Sequence, residues 1–97
     1  MNRNFPDQFR GDHSSRQPET QAIMDWTLSR HFTISINYHG GACVVSYPFD
    51  GTSNGKTAYS SSPDDDVIRY MSTIYASTNR PMATGRFKNG ITNGAAW

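Results

Sequence analysis

The chain has 97 residues, which sets a prior of one domain and, at this size, burial of only about 60 to 65% of the unfolded surface. Hydrophobic residues make up 35% and mean hydropathy is -0.68, lean for a self-sufficient core. Net charge is +1, from Lys+Arg 9 and Asp+Glu 8 spread without blocks, so neither nucleic acid nor an anionic membrane is favoured as a partner, and no run approaches the ~20 apolar residues of a membrane span.

Residues 1 to 17 read as loop, punctuated by Pro6, Gly11, Asp12 and the Ser14-Ser15 pair. A helix is expected near 18 to 29. Pro18 suits a first helical position, Glu19 favours the positive end of the dipole, and Ala22, Ile23, Trp26 and Arg30 recur at helical spacing, with Met24 and Leu28 as a further i,i+4 pair. This helix is expected to pack on a sheet, with Met24 and Trp26 as core.

Residues 32 to 39 alternate, with Phe32, Ile34, Ile36 and Tyr38 on one face and Thr33, Ser35, Asn37 and His39 on the other, the period of a half-buried strand. Gly40-Gly41 permits a sharp turn, and an apolar run at 43 to 47 reads as a second strand. Cys43 is the single cysteine, so it closes no internal disulfide or CxxC-type metal framework, and it reads as a small buried hydrophobe. Residues 51 to 61 form a polar surface loop.

A second helix is expected near 63 to 77, with Ser62 as N-cap, Pro63 at the first position, and Asp64, Asp65 and Asp66 in the positively polarised first turn. Val67, Tyr70, Met71, Ile74 and Tyr75 form its apolar stripe. Adjacent helical acids point about 100° apart, so the triplet reads as structural and not as a cation loop. From Ser77 onward the chain reads as irregular, with turn signals at Pro81, Gly85, Asn89-Gly90 and Asn93-Gly94, and Arg80 to Lys88 is its one basic cluster.

The run Asn37-Tyr-His-Gly-Gly-Ala-Cys-Val-Val-Ser-Tyr-Pro-Phe-Asp50 resembles the third zinc-ligand segment of the zinc metallocarboxypeptidases, in their N/E (regulatory) branch. Four further stretches agree in order: Asn2-Arg-Asn-Phe-Pro-Asp-Gln-Phe9, Gln17-Pro-Glu-Thr20, Ser62-Pro-Asp-Asp-Asp-Val67 and Gly90-Ile-Thr-Asn-Gly-Ala-Ala-Trp97. The resemblance implies an α/β fold, part of a mixed β-sheet flanked by helices. It also implies that residues 1 to 97 are the central segment of a peptidase catalytic domain without its N- and C-terminal parts. The family is largely secretory, so it implies an extracellular or secretory-pathway protein; no signal peptide precedes residue 1, which leads to the expectation of a fragment or partial gene model.

For the site, the resemblance implies that Asn2 and Arg3 grip a substrate's terminal carboxylate, for which a guanidinium offers a planar fork of donors. It assigns His39 as one ligand of a catalytic Zn2+, which needs three protein ligands and an open position for water. The other two are expected from a His-x-x-Glu element upstream of residue 1, and no such element occurs in the chain. Asp50 corresponds to the carboxylate at the floor of the pocket for the substrate's last side chain, where it would pair with Lys or Arg. No catalytic residue maps onto the chain, since the family's glutamate and tyrosine are expected downstream and its oxyanion arginine upstream.

Taken without the family, the same residues have plainer readings: a solvated terminus for Asn2 and Arg3, a hydrogen-bonded strand-end imidazole for His39, and a turn former before Gly51 for Asp50. A site made by His39 and Cys43 with His31 or His13 is a weak signal, two donors four apart across a glycine turn. Two functions follow as expectations: a segment of a carboxypeptidase removing C-terminal Lys or Arg, inactive as an isolated chain, or a non-catalytic remnant that binds peptide C-termini.

Overall fold

The computed structural model describes residues 3–9, 11 and 15–97; Asn2 and His13 therefore lie outside the described residues. Its elements are α1 (Pro18–Leu28), β1 (Val45–Tyr47), α2 (Asp65–Ser77), α3 (Arg80–Ala83) and β2 (Ile91–Asn93), with 3-10 turns at Lys88–Gly90 and Gly94–Ala96. They fall into two compact units, Met1–Gly40 and Gly41–Trp97. The fold is α/β, as expected.

The first unit is built on α1, which ends one residue short of the expected range. Pro18 sits in its first turn beside Glu19, and Gln17 caps it in extended conformation without a side-chain bond. The Gln17 N–H instead donates to Asn4 Oδ1 at 2.8 Å, tying the preceding loop to the helix start. Phe5, Pro6, Met24, Thr27 and Leu28 line an apolar groove within this unit. Trp26, expected as core, is half-exposed and tilts against Phe32 at 4.8 Å between centroids, while Thr20 is the buried residue of the helix.

The strand expected at 32 to 39 does not form. The segment is irregular, and Phe32, Ile34, Ile36 and Tyr38 are all exposed. Alternation specifies which side chains would share a face, but a strand also requires a neighbour for its N–H and C=O groups. Among the described residues the one sheet consists of β1 and β2.

The second unit contains that sheet. β1 and β2 pair in parallel, in the register Val45↔Ile91, Ser46↔Thr92 and Tyr47↔Asn93. Parallel strands need a crossover, and here the connection contains α2, which packs against both strands. β1 confirms the second expected strand, shortened at its start; Cys43 lies before it and is exposed, not buried as expected. Gly41 adopts φ +125 in the predicted glycine turn, a region that residues with a Cβ avoid.

α2 matches the expected helix but begins at Asp65. Asp64 occupies the N-cap without a side-chain cap bond, and Ser62 contributes its backbone carbonyl, which accepts from Asp65 N–H at 3.2 Å. The buried face also differs from the apolar stripe. Ile68, Ser72 and Ala76, spaced by four, face inward, whereas Val67, Tyr70, Met71, Ile74 and Tyr75 are exposed. Small residues allow the helix backbone to approach the short strands closely.

The region after Ser77 is more ordered than its turn residues suggest. Asn79 caps α3, its side-chain oxygen accepting from Met82 N–H at 3.2 Å, and Pro81 lies in the first turn. β2 is a three-residue strand between two turns, too short for a period of two to register.

The buried face of α2 yields a stability test by urea denaturation. Ala76 is 0% exposed, so Ala76→Leu overpacks the helix against the sheet and should cost about 1 to 3 kcal/mol. Tyr70, in the stripe, is 67% exposed, so Tyr70→Ala should change stability by no more than about 0.5 kcal/mol. The reverse order of costs would place the stripe in the core.

Candidate functional site

The segment that leaves β1, Tyr47 to Asp50, is fixed from two sides. Tyr47 is buried, with its ring edge-on to Tyr59 at 6.3 Å between centroids. The Phe49 N–H donates to Ser60 O at 3.0 Å, and the Phe49 carbonyl accepts from Ala95 N–H at 2.8 Å. The Pro48–Phe49 peptide is cis.

Asn93, at the end of β2 and 3% exposed, holds these strands of chain together. Its Oδ1 accepts from Ser60 N–H at 3.0 Å, and its Nδ2 donates to Ser60 O at 2.9 Å and Pro48 O at 3.2 Å. A backbone N–H can only donate and a carbonyl can only accept, so the three contacts also fix which way the amide faces. Through Ser60 it meets both polar groups of one residue, as a neighbouring strand would. The loop is closed further by Ala58 N–H donating to Ala95 O at 3.1 Å.

Asp50 therefore projects from a pinned backbone. Its side chain is exposed in the second unit and its carboxylate lies against Gly94, the residue after Asn93. The arrangement offers an anion at a defined position, able to accept charge-assisted hydrogen bonds from a cation.

Below the same loop, the Tyr59 hydroxyl donates to Asp65 Oδ2 at 2.6 Å, and Arg69 Nη1 lies 3.8 Å from that oxygen. The hydrogen bond to Asp65, more than burial, holds the Tyr59 phenol well above its ordinary range, because ionisation would lose the donor and set two anions together. This contact ties the polar loop to the first turn of α2. Neither it nor the bonding role of Asn93 can be read from the sequence, where Tyr59 carries a loop signal and Asn93-Gly94 a turn signal within the family-like stretch Gly90 to Trp97.

The other predicted site residues lie in the first unit. Arg3 is exposed and adopts φ 75, in the left-handed region that costs most residues energy. Asn2, its predicted companion, is outside the described residues. His39 is exposed and follows the irregular segment, not a strand end; its Nδ1 is 2.5 Å from Gly40 O. In the tautomer protonated at Nδ1 the ring donates to that carbonyl and keeps its lone pair on Nε2, an orientation device common to metal-binding imidazoles.

A structural or catalytic zinc requires at least three protein donors. Among the described residues no group of three His, Cys, Asp or Glu side chains could hold a metal ion. The donors among the described residues do not make up a complete zinc site.

The zinc carboxypeptidase family profile matches residues 1–97. The chain belongs to the zinc carboxypeptidase family. Across all of its length it is 46% identical to Carboxypeptidase SOL1 of Arabidopsis thaliana, 46% to Carboxypeptidase D of Homo sapiens and 47% to Carboxypeptidase M of Mus musculus. It spans 21%, 8% and 24% of those proteins respectively, so it corresponds to a minor part of each. Family and N/E branch are those to which the sequence motifs pointed, and the family is one of metallocarboxypeptidases. Among the described residues no helix is long and apolar enough to cross a membrane.

The Tyr59–Asp65 contact is measurable in an alkaline absorbance titration. The chain has five tyrosines, and the Tyr59 phenol should ionise clearly above the usual value of about 10. Tyr59→Phe should remove that late component and leave the rest of the curve in place; a late component that survives would assign it to another tyrosine.

Proposed function

We propose that the chain is a central segment of a carboxypeptidase catalytic domain that removes C-terminal Lys or Arg from peptides, acting in the secretory pathway or outside the cell. Asp50 selects the basic side chain, Arg3 with Asn2 binds the terminal carboxylate, and His39 supplies one zinc donor, the others coming from outside these 97 residues. The observation that carries the reading is the position of Asp50, whose preceding backbone is held by Ser60, Asn93 and Ala95. A fixed acid facing a bound peptide end would discriminate against apolar residues, because it would be left desolvated and unpaired.

A second reading stands in parallel, a binder of peptide C-termini that needs no metal, since among the described residues no three donors group for one. Both readings predict selectivity, and they differ in zinc dependence.

Binding of a C-terminal-Arg peptide and its C-terminal-norleucine analogue to the 97-residue chain tests Asp50. Asp50 is exposed, and an exposed ion pair is worth about 1 kcal/mol at most, which corresponds to roughly a fivefold preference. Asp50→Asn should bring the two peptides to equal affinity. A preference unchanged in Asp50→Asn would remove Asp50 from the reading. Zinc-dependent affinity supports the enzyme segment, and equal affinity with zinc or chelator supports the binder. The isolated chain should not hydrolyse either peptide; turnover abolished by a chelator would contradict the incomplete metal site.

A further inference from the structure

We infer that Gly94 is a positioning residue for Asp50, and that the preference for a cationic C-terminal side chain depends on position 94 having no Cβ. This rests on the reading of Asp50 as the selecting carboxylate.

A Cβ built on Gly94 would overlap Asp50 Oδ1 and stand 2.8 Å from Asp50 Cγ and 3.0 Å from Asp50 Cα. The Asp50 carboxylate thus occupies the space that a side chain at 94 would take. Backbone conformation does not explain the glycine: Gly41, Gly55 and Gly90 have positive φ, whereas Gly94 does not and lies in a 3-10 turn open to other residues. Space is the constraint, and Asp50 supplies each of the three nearest atoms.

Relief by backbone movement is opposed on both sides of Gly94 and on the near side of Asp50. Ala95 N–H, one residue after Gly94, donates to Phe49 O, one residue before Asp50, at 2.8 Å. Asn93, one residue before Gly94, donates to Pro48 O. The residues on either side of Gly94 are thus bonded to the two residues that precede Asp50, so an added methyl group is accommodated mainly by turning the Asp50 side chain to another rotamer. The carboxylate would then leave its direction while the charge stayed in the chain. Position 94 acts through geometry and not through net charge.

Gly94→Ala is examined by the two-peptide titration and by thermal melting, together with Asp50→Asn, Asp50→Gly and the double variant Asp50→Gly/Gly94→Ala. Gly94→Ala should lose the roughly fivefold arginine preference, as Asp50→Asn does, while affinity for the norleucine peptide stays unchanged. Its melting temperature should fall in the parent background and fall much less in Asp50→Gly, where no carboxylate fills the space. A Gly94→Ala chain too unstable to titrate, with folding restored in the double variant, supports the inference. Full arginine preference in Gly94→Ala overturns it, as does an equal loss of melting temperature in both backgrounds. If Asp50→Asn leaves the preference intact, the functional reading fails by itself, and the 50/94 coupling in melting still reports whether Gly94 positions the acid.

Discussion

The second unit depends on one side-chain amide. Asn93 is nearly fully buried and uses both amide hydrogens and its oxygen, toward Pro48 and Ser60, to join the end of β1, the polar loop and the end of β2. A two-stranded parallel sheet of three residues each is a weak scaffold, since it offers few ladder bonds. Asn93 lengthens it in effect, and Phe49 and Ala95 add main-chain bonds beyond the assigned strands. A buried amide with one partner missing would cost about 1 to 3 kcal/mol, so the bracket is held as a set.

Asp50 inherits its position from that bracket. An exposed carboxylate on a mobile loop would be a poor selector, because ordering it on binding costs conformational entropy. Here the residues before it are bonded to Ser60, Asn93 and Ala95, and its side chain lies over a glycine. The segment around Asp50 is therefore the part of the proposed site whose surroundings the fold fixes most fully. Among the described residues no group of three donors is assembled for a metal ion, and the imidazole of His39, the proposed zinc donor, has its Nδ1 at the Gly40 carbonyl.

Local signals were legible where they were sufficient by themselves. α1 follows from Pro18 and Glu19 in its first turn, α2 from Asp65 and Asp66 in its first turn and from apolar spacing, and the glycine turn before β1 from Gly40-Gly41. Signals that require a partner were not. The alternation at 32 to 39 describes a strand without a neighbour, and β2 is set by β1 and α2, not by three residues of its own. The α2 stripe misled for a related reason: the sheet is reached through Ser72 and Ala76, whose small size matters more than hydropathy. Asp50 and His39 were singled out by family motif and stand as proposed site residues, whereas the bonding of Asn93 was hidden because Asn-Gly ordinarily signals a turn and its long-range bonds span 33 and 45 residues.

Amide hydrogen exchange in the Asn93→Ser chain tests the bracket most directly. Ser60, Phe49 and Ala95 should exchange slowly and together in the parent, and all three should lose protection together in Asn93→Ser, while amides inside α1 keep theirs. Retained protection at Phe49 and Ala95 in the variant would show that the Asp50 segment stands without Asn93, and would contradict the account.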